Sequence, residues 1–398
     1  MDATPADLEP AKMEEPGYRD PPPFAIDAQG QALTFYPGGP DRLDAMLALI
    51  DSARVCLKLC FYIFAEDASS QRVRDALVAA ARRGVDVKLV IDGFGAAASQ
   101  AFFQPLCDAG GEVWRFSAKW TQRYLIRNHQ KMVIVDNARA MVGGFNVEDS
   151  YFEPPHANGW NDLGVVIEGS LVERLDRWFD LMQRWVSQPN PRWRTIRRIV
   201  REWDAGEGTV QLLVGGPTRG LSSWARCVSN DLIRGERLDM IMAYFSPPRR
   251  LVRRISRIAA KGHTKLVLAG KSDNGATIGA ARALYRQMLR KGAMVWEFVP
   301  CKLHTKLIVL DERVYIGSAN FDMRSLYINL ELMVLIEDAA LAERMRAFIA
   351  HHAEASLAIT PDVHEVRATW WNRLRWRLSW FLVGVLDYTV SRRLNLGL

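Results

Sequence analysis

The chain has 398 residues, 49% of them hydrophobic, and a formal net charge of +7 at pH 7. That length allows two domains with substantial cores, and the charge suits an anionic partner, either nucleic acid or an acidic membrane surface. Its five cysteines (Cys56, Cys60, Cys107, Cys227 and Cys301) form neither a metal-ligand spacing nor an even disulfide framework, so they read as buried thiols in a reducing compartment.

Residues 1–30 read as a disordered tail, because Met1 to Pro23 is rich in Asp, Glu, Pro and Ala and lacks the apolar core of a signal peptide or transmembrane anchor. The first half, residues 31–190, opens with an apolar run from Leu57 to Phe64 that predicts a buried strand. An Arg-bearing helix from Gln71 to Arg83 follows, then Gly84 and a second strand, Val85 to Ile91, and then Cys107-Asp-Ala-Gly-Gly-Glu-Val-Trp114. The same succession returns in residues 209–358. There the strand Met240 to Phe245 is closed by Ser246-Pro247-Pro248, and Arg249 to Lys261, Gly262, Lys265 to Ala269 and Leu289 to Trp296 take the equivalent places. Alternating helices and strands predict an α/β half-domain with a parallel or mixed sheet in each copy. A period this long means duplicated domains. Between them residues 191–208, basic and proline-marked from Pro189 to Arg201, suit a surface connector.

Each half carries the same polar set. His129-Gln-Lys131 and His304-Thr-Lys306 run through Met132 to Val135 and Leu307 to Leu310 into Asp136 and Asp311, and then into Gly143 to Asn146 and Gly317 to Asn320. Strand alternation projects histidine and lysine to one face. Asn137 to Val142 and Glu312 to Ile316 return as hairpins, where Gly143 and Gly317 let the backbone turn and approach a ligand, bringing Asn146 or Asn320 beside the pair. An imidazole, an ammonium and an amide from each half suit a phosphate anion. Facing each other, the two sets supply a nucleophile, an acid for the leaving oxygen and positive charge for the non-bridging oxygens. No metal or other cofactor is called for, since no His, Cys, Asp or Glu cluster has ligand spacing.

Trp114 to His129 spans fifteen residues where Trp296 to His304 spans eight, so the first half holds a seven-residue insertion with Lys119, Trp120, Arg123, Tyr124 and Arg127. This basic, aromatic loop is expected at the site as a headgroup-binding or gating element. At the other end, Trp370, Leu374, Leu378, Phe381 and Val385 fall on one side of a helix, with Arg373 and Arg377 largely elsewhere. The apolar run from Leu378 to Leu386 is far shorter than the ~20 residues of a spanning helix, so residues 359–398 read as an amphipathic membrane-surface segment.

At these motifs the chain resembles the phospholipase D superfamily, the HKD enzymes, over about residues 31 to 358. The second copy has the family's Ser318, whereas the first has Gly144 and is one residue longer between Asp136 and Gly143. Arg127-Asn128-His129, Gly143-Gly144-Phe145-Asn146, Tyr244-Phe245-Ser246-Pro247 and the stretch Phe321 to Glu331 resemble bacterial cardiolipin synthases. The resemblance implies two α-β-α sandwich halves about a pseudo-two-fold axis, sharing one composite active site. It implies ping-pong transfer with His129 as nucleophile and His304 as acid and base, and it sets Asp162 on His304 and Glu331 on His129. Asp136 and Asp311 belong to the candidate set as structural members. The expected activity is a phosphatidyltransferase of the cardiolipin synthase type, with phosphatidylglycerol as phospholipid substrate, through a phosphohistidine intermediate. A phospholipase D that hydrolyses headgroups and an HKD-type nuclease are the alternatives. The expected partner is an anionic membrane surface rather than nucleic acid, with the protein peripheral at the cytoplasmic face of a bacterial inner membrane.

Overall fold

The apolar runs after each His-x-Lys become central strands. Met132–Val135 and Lys306–Leu310 are buried at every position, as an internal strand covered on both faces must be. The computed structural model describes residues 17–116 and 126–383. In it each of these strands lies inside an eight-stranded mixed sheet. The first sheet runs in the order Phe24–Ala28, Gln31–Tyr36, Gly164–Glu168, Arg139–Gly143, Met132–Val135, Cys56–Phe61, Asp86–Asp92 and Glu112–Phe116. The second runs Val210–Gly215, Glu331–Glu337, Arg313–Gly317, Lys306–Leu310, Leu238–Met242, Thr264–Ala269, Met294–Phe298 and Ser356–Ala358.

In both, the three strands joined by crossover helices are parallel and the His-Lys hairpin is antiparallel. The halves differ at the edges, where the first adds Phe24–Ala28 and the second adds Ser356–Ala358. Helices cover both faces. Alternate residues of the central strands divide between two cores: Val133 and Val135 face the outer core of the first half, Ile308 and Leu310 that of the second. Met132, Ile134, Leu307 and Val309 face a single inner core shared by the halves, with helices Leu171–Val186 and Ala339–Glu354 between the sheets. These are the two α-β-α sandwiches expected.

Several boundaries differ from the expectation. The run Leu57 to Phe64 is strand as Cys56–Phe61, and Met240 to Phe245 divides into Leu238–Met242 and a separate two-residue strand, Phe245–Ser246. Beyond each the chain leaves the ladder, and Ile63 N donates to Asn146 Oδ1 at 3.0 Å, which brings Tyr62 and Tyr244 to the cleft. Residues 17–30, expected in the tail, are ordered. Tyr18 bonds His352 at 2.9 Å and accepts from Asn161 Nδ2 at 3.0 Å, and Asn161 O in turn accepts from His304 N. The connector contains helix Trp193–Glu202, whose Trp193, Ile196 and Val200 enter the shared core. Gly143 and Gly317 have ordinary backbone angles. A Cβ there would collide with Leu163 O at Gly143 and with Leu332 O at Gly317, so glycine permits close approach of the neighbouring strand rather than a turn or a ligand. The turns use positive φ at Asp136, Asn137 and Asp311. The one-residue difference between the copies is a hairpin loop of Asp136 to Ala138 in one and Asp311 with Glu312 in the other.

The terminal helix Trp370–Phe381 packs on helix Gly275–Leu289 through buried Trp376, with Gly279 leaving room for Ser379. Its other side faces solvent: Trp370, Trp371, Leu374, Leu378, Phe381 and Leu382 are 43–65% exposed. Val385 and most of the insertion, with Lys119, Trp120, Arg123 and Tyr124, lie outside the described residues. Among those described, no helix is long and apolar enough to cross a membrane.

Candidate active site

Each histidine is registered against the opposite half by backbone bonds. His129 N donates to Leu330 O at 2.9 Å and His304 N to Asn161 O at 2.7 Å, and the next residues after those acceptors are Glu331 and Asp162. The middle residue of each motif tightens this pairing. Gln130 Nε2 donates to Glu331 O at 3.3 Å, and Thr305 Oγ1 to Asn161 O at 3.2 Å.

The acids therefore arrive at the rings. His129 Nδ1 donates to Glu331 Oε2 at 3.0 Å, and His304 Nδ1 lies 2.6 Å from Asp162 Oδ2. A carboxylate on Nδ1 fixes ring and tautomer and leaves Nε2 as the reactive nitrogen. Ser318 Oγ donates to Glu331 Oε2 at 2.5 Å and accepts from Leu332 N at 3.0 Å, so this serine aims the acid. Its counterpart cannot do the same. A Cβ on Gly144 would stand 2.6 Å from Asp162 Oδ1, so the shorter aspartate occupies the space a serine would need.

The lysines complete the cleft. Lys131 Nζ donates to His129 O at 2.6 Å, and Lys306 Nζ donates to His304 O and sits 2.9 Å from His304 Nδ1. Burial, partly offset by Glu331, draws Lys131 down to about 7, and burial draws Lys306 down to about 8 against the pull of Asp162. Burial and then Lys306 push His304 down to about 3, and burial lowers His129 against the pull of Glu331. Both shifts favour the neutral ring, and the negative charge of a phosphate in the cleft favours the protonated one. The amides are both buried. Asn146 Oδ1 is taken by Ile63 N, while Asn320 Oδ1 and Glu331 Oε1 meet no partner among the described residues. No group of three or more His, Cys, Asp or Glu side chains converges among those residues as a metal site needs.

Asp136 and Asp311 are elsewhere, at the far ends of the strands. Asp136 accepts from the amides of Arg54, Val55 and Cys56. Burial would raise its pKa, yet the Cys56, Val55 and Arg54 bonds hold the carboxyl below its ordinary value. Asp311 likewise accepts from Glu236 N and Arg237 N, at 3.0 and 2.9 Å. Both carboxylates clamp a loop to a hairpin and touch no catalytic group.

A family model described as cardiolipin synthase, PLD-like domain, matches residues 46–183 and 232–353, one segment around each His-Lys set. The chain belongs to this family. Its sequence is similar to the major cardiolipin synthase of Bacillus subtilis, 26% identical over 359 residues, 87% of this chain and 74% of that one. Cardiolipin synthase A of Edwardsiella ictaluri is 27% identical over 379 residues, 90% of this chain and 76% of that one. In fold the chain resembles the crystal structure of phosphatidylserine synthase from Haemophilus influenzae, with a TM-score of 0.72 over 93% of this chain and 96% of the other, at 15% identity.

Beyond the motifs of this phospholipase D superfamily enzyme, four residues shape the cleft without being legible in the repeat. Tyr151 is buried with its hydroxyl 3.4 Å from His304 Nε2 and its ring stacked on Trp160. Tyr62 lies against His129, ring centroids 5.0 Å apart. Arg42, fully buried, donates to Asp162 O at 2.7 Å and Tyr151 O at 2.6 Å, fixing the acid and the tyrosine together. Asp92 accepts from Asn128 N at 2.7 Å and from the Phe94 and Gly95 amides, anchoring the approach to His129. Arg42 did leave a signal: it falls with Met46, Leu49 and Ile50 on the buried side of helix Gly39–Ser52, where an arginine requires partners. Of the insertion, Arg127 is placed, its guanidinium 3.6 Å from the Phe94 ring centre at the rim.

Proposed function

We propose that the protein makes cardiolipin from two phosphatidylglycerol molecules through a phosphatidyl-histidine intermediate. The observation that carries this reading is the crossed pairing of His129 with Glu331 and His304 with Asp162 over two buried lysines. The non-bridging oxygens sit between Lys131, Lys306, Asn146 and Asn320. His129 Nε2 attacks phosphorus, the bond to the glycerol oxygen breaks, and His304 Nε2 gives that oxygen its proton. His304 then takes the proton of the incoming glycerol hydroxyl, whose oxygen forms the new P–O bond as the P–N bond to His129 breaks. Negative charge on the phosphate raises His304 towards the protonated form that the first step needs. Tyr151 on His304 Nε2 supports this division of labour: a hydroxyl on the reactive nitrogen suits proton transfer, while attack needs the lone pair unencumbered.

The names of the relatives support transfer over hydrolysis. The exposed apolar side of helix Trp370–Phe381 supports an anionic membrane surface as partner. With the net charge of +7, that favours a peripheral place on the cytoplasmic face of a bacterial inner membrane. Expression in a bacterial host without cardiolipin, followed by lipid mass spectrometry, tests the reading. Cardiolipin should appear with the intact chain and fall by roughly a thousandfold or more with His129→Ala or His304→Ala. Phosphatidic acid in place of cardiolipin would instead assign hydrolysis.

A further inference from the structure

Helix Trp193–Glu202 buries Trp193, Ile196 and Val200 and turns its arginines outward. Arg194, Arg197, Arg198 and Arg201, together with Arg219 and Thr218 from the loop after strand Val210–Gly215, line a pocket of about 450 Å³. Compensation is one-sided. Glu202 lies 2.7 Å from Arg201 and 4.0 Å from Arg198, whereas Arg194, Arg197 and Arg219 have no carboxylate in ion-pair range among the described residues. Partial burial and the charges of Arg219, Arg194 and Arg201 push Arg197 below its ordinary value. Guanidinium groups gathered in a hollow repel one another, and an anion between them removes that cost.

The buried side of the helix that carries these arginines packs behind the segment that registers His129. A Cβ on Gly216 would meet Val200 Cγ1 at 2.8 Å and Leu330 Cδ2 at 3.1 Å, and Leu330 O accepts from His129 N. At the other end of the helix Trp193 packs on Phe116, ring centroids 5.8 Å apart, directly before the insertion.

We propose that this arginine-lined pocket is a second phosphate site, separate from the His-Lys pair, which holds the phosphate of an anionic phospholipid headgroup outside the catalytic cleft. Arginine forks match phosphate oxygens in pairs, and that much is independent of the reaction. The choice of a lipid rests on the phosphatidyltransferase reading, since a soluble phosphate offers the same oxygens.

The test uses the full chain, Arg197→Gln/Arg219→Gln, and a charge control, Arg82→Gln/Arg290→Gln, at two exposed arginines outside the pocket. Each is titrated calorimetrically with dihexanoylphosphatidylglycerol below its micelle concentration, with dihexanoylphosphatidylcholine, with inorganic phosphate and with a single-stranded oligonucleotide. The intact chain and the control should bind phosphatidylglycerol at two sites. The pocket variant should lose one, or bind there at least tenfold more weakly, with little change for phosphatidylcholine. Equal binding by all three proteins would overturn the site. Inorganic phosphate filling it as tightly as the lipid, or oligonucleotide displacing the lipid at lower concentration, would overturn the lipid assignment. Two intact sites in a protein that makes no cardiolipin would count against the transferase reading alone.

Discussion

Lys131 and Lys306, drawn down to about 7 and about 8 by burial, give the cleft a proton signature. A bound phosphodiester stabilises the ammonium form and raises both values. Above about pH 7, therefore, binding takes up protons, and well below it the lysines are already charged and contribute none. Calorimetry on His129→Ala/His304→Ala, in which neither histidine can exchange protons, with phosphatidylglycerol in two buffers of different ionisation enthalpy, should show uptake at about pH 8 that fades towards about pH 6. Release, or no exchange at the higher pH, would contradict the paired-lysine account. At this scale the repeat made the His, Lys and Asn positions legible because period and polarity repeat in equivalent contexts. Tyr151 was not legible, since its position in the second half is Ser325 and no repetition marks it. Gly144 departed from the family pattern for a reason visible only in three dimensions, the Asp162 carboxylate lying where its Cβ would go.

Among elements, the hairpins and the terminal helix make separable predictions. Asp136→Ala leaves the amides of Arg54, Val55 and Cys56 without their acceptor, which should cost about 1–3 kcal/mol of stability in urea unfolding while kcat changes little. Loss of turnover at unchanged stability would make Asp136 catalytic instead. The terminal helix is packed on one side, through Trp376, and bare on the other. Replacing exposed Leu374, Leu378 and Phe381 by serine should leave the fold intact. If each side chain inserts to headgroup depth for roughly 1 kcal/mol, partitioning onto phosphatidylglycerol vesicles should fall on the order of 100-fold. Undiminished sedimentation with vesicles would remove the helix from the membrane contact. Apolar runs located the strands well, but their ends were set by contacts distant in sequence, such as Ile63 with Asn146. The same is true of residues 17–23, whose composition reads as disordered although Tyr18 is tied to His352 and Asn161.

For the whole molecule, the duplication could be read from the chain, while the crossing of the halves came from the resemblance and not from any local pattern. It arises because the segment before each histidine pairs with the segment before the other half's acid, through Asn128 with Leu330 and Leu303 with Asn161. Neither half alone holds a histidine with its carboxylate. One inner core spans both sheets, so the placing of each histidine against the other half's carboxylate is fixed by the packing of the halves. The most direct test is to trap the intermediate: phosphatidylglycerol labelled in its phosphatidyl part is mixed with the protein, quenched in alkali within one turnover, and the peptides are mapped. The label should sit on His129, and should be absent from His129→Ala. Label on His304, or turnover with no covalent label at any time, would contradict the assignment of one histidine to attack and the other to proton transfer.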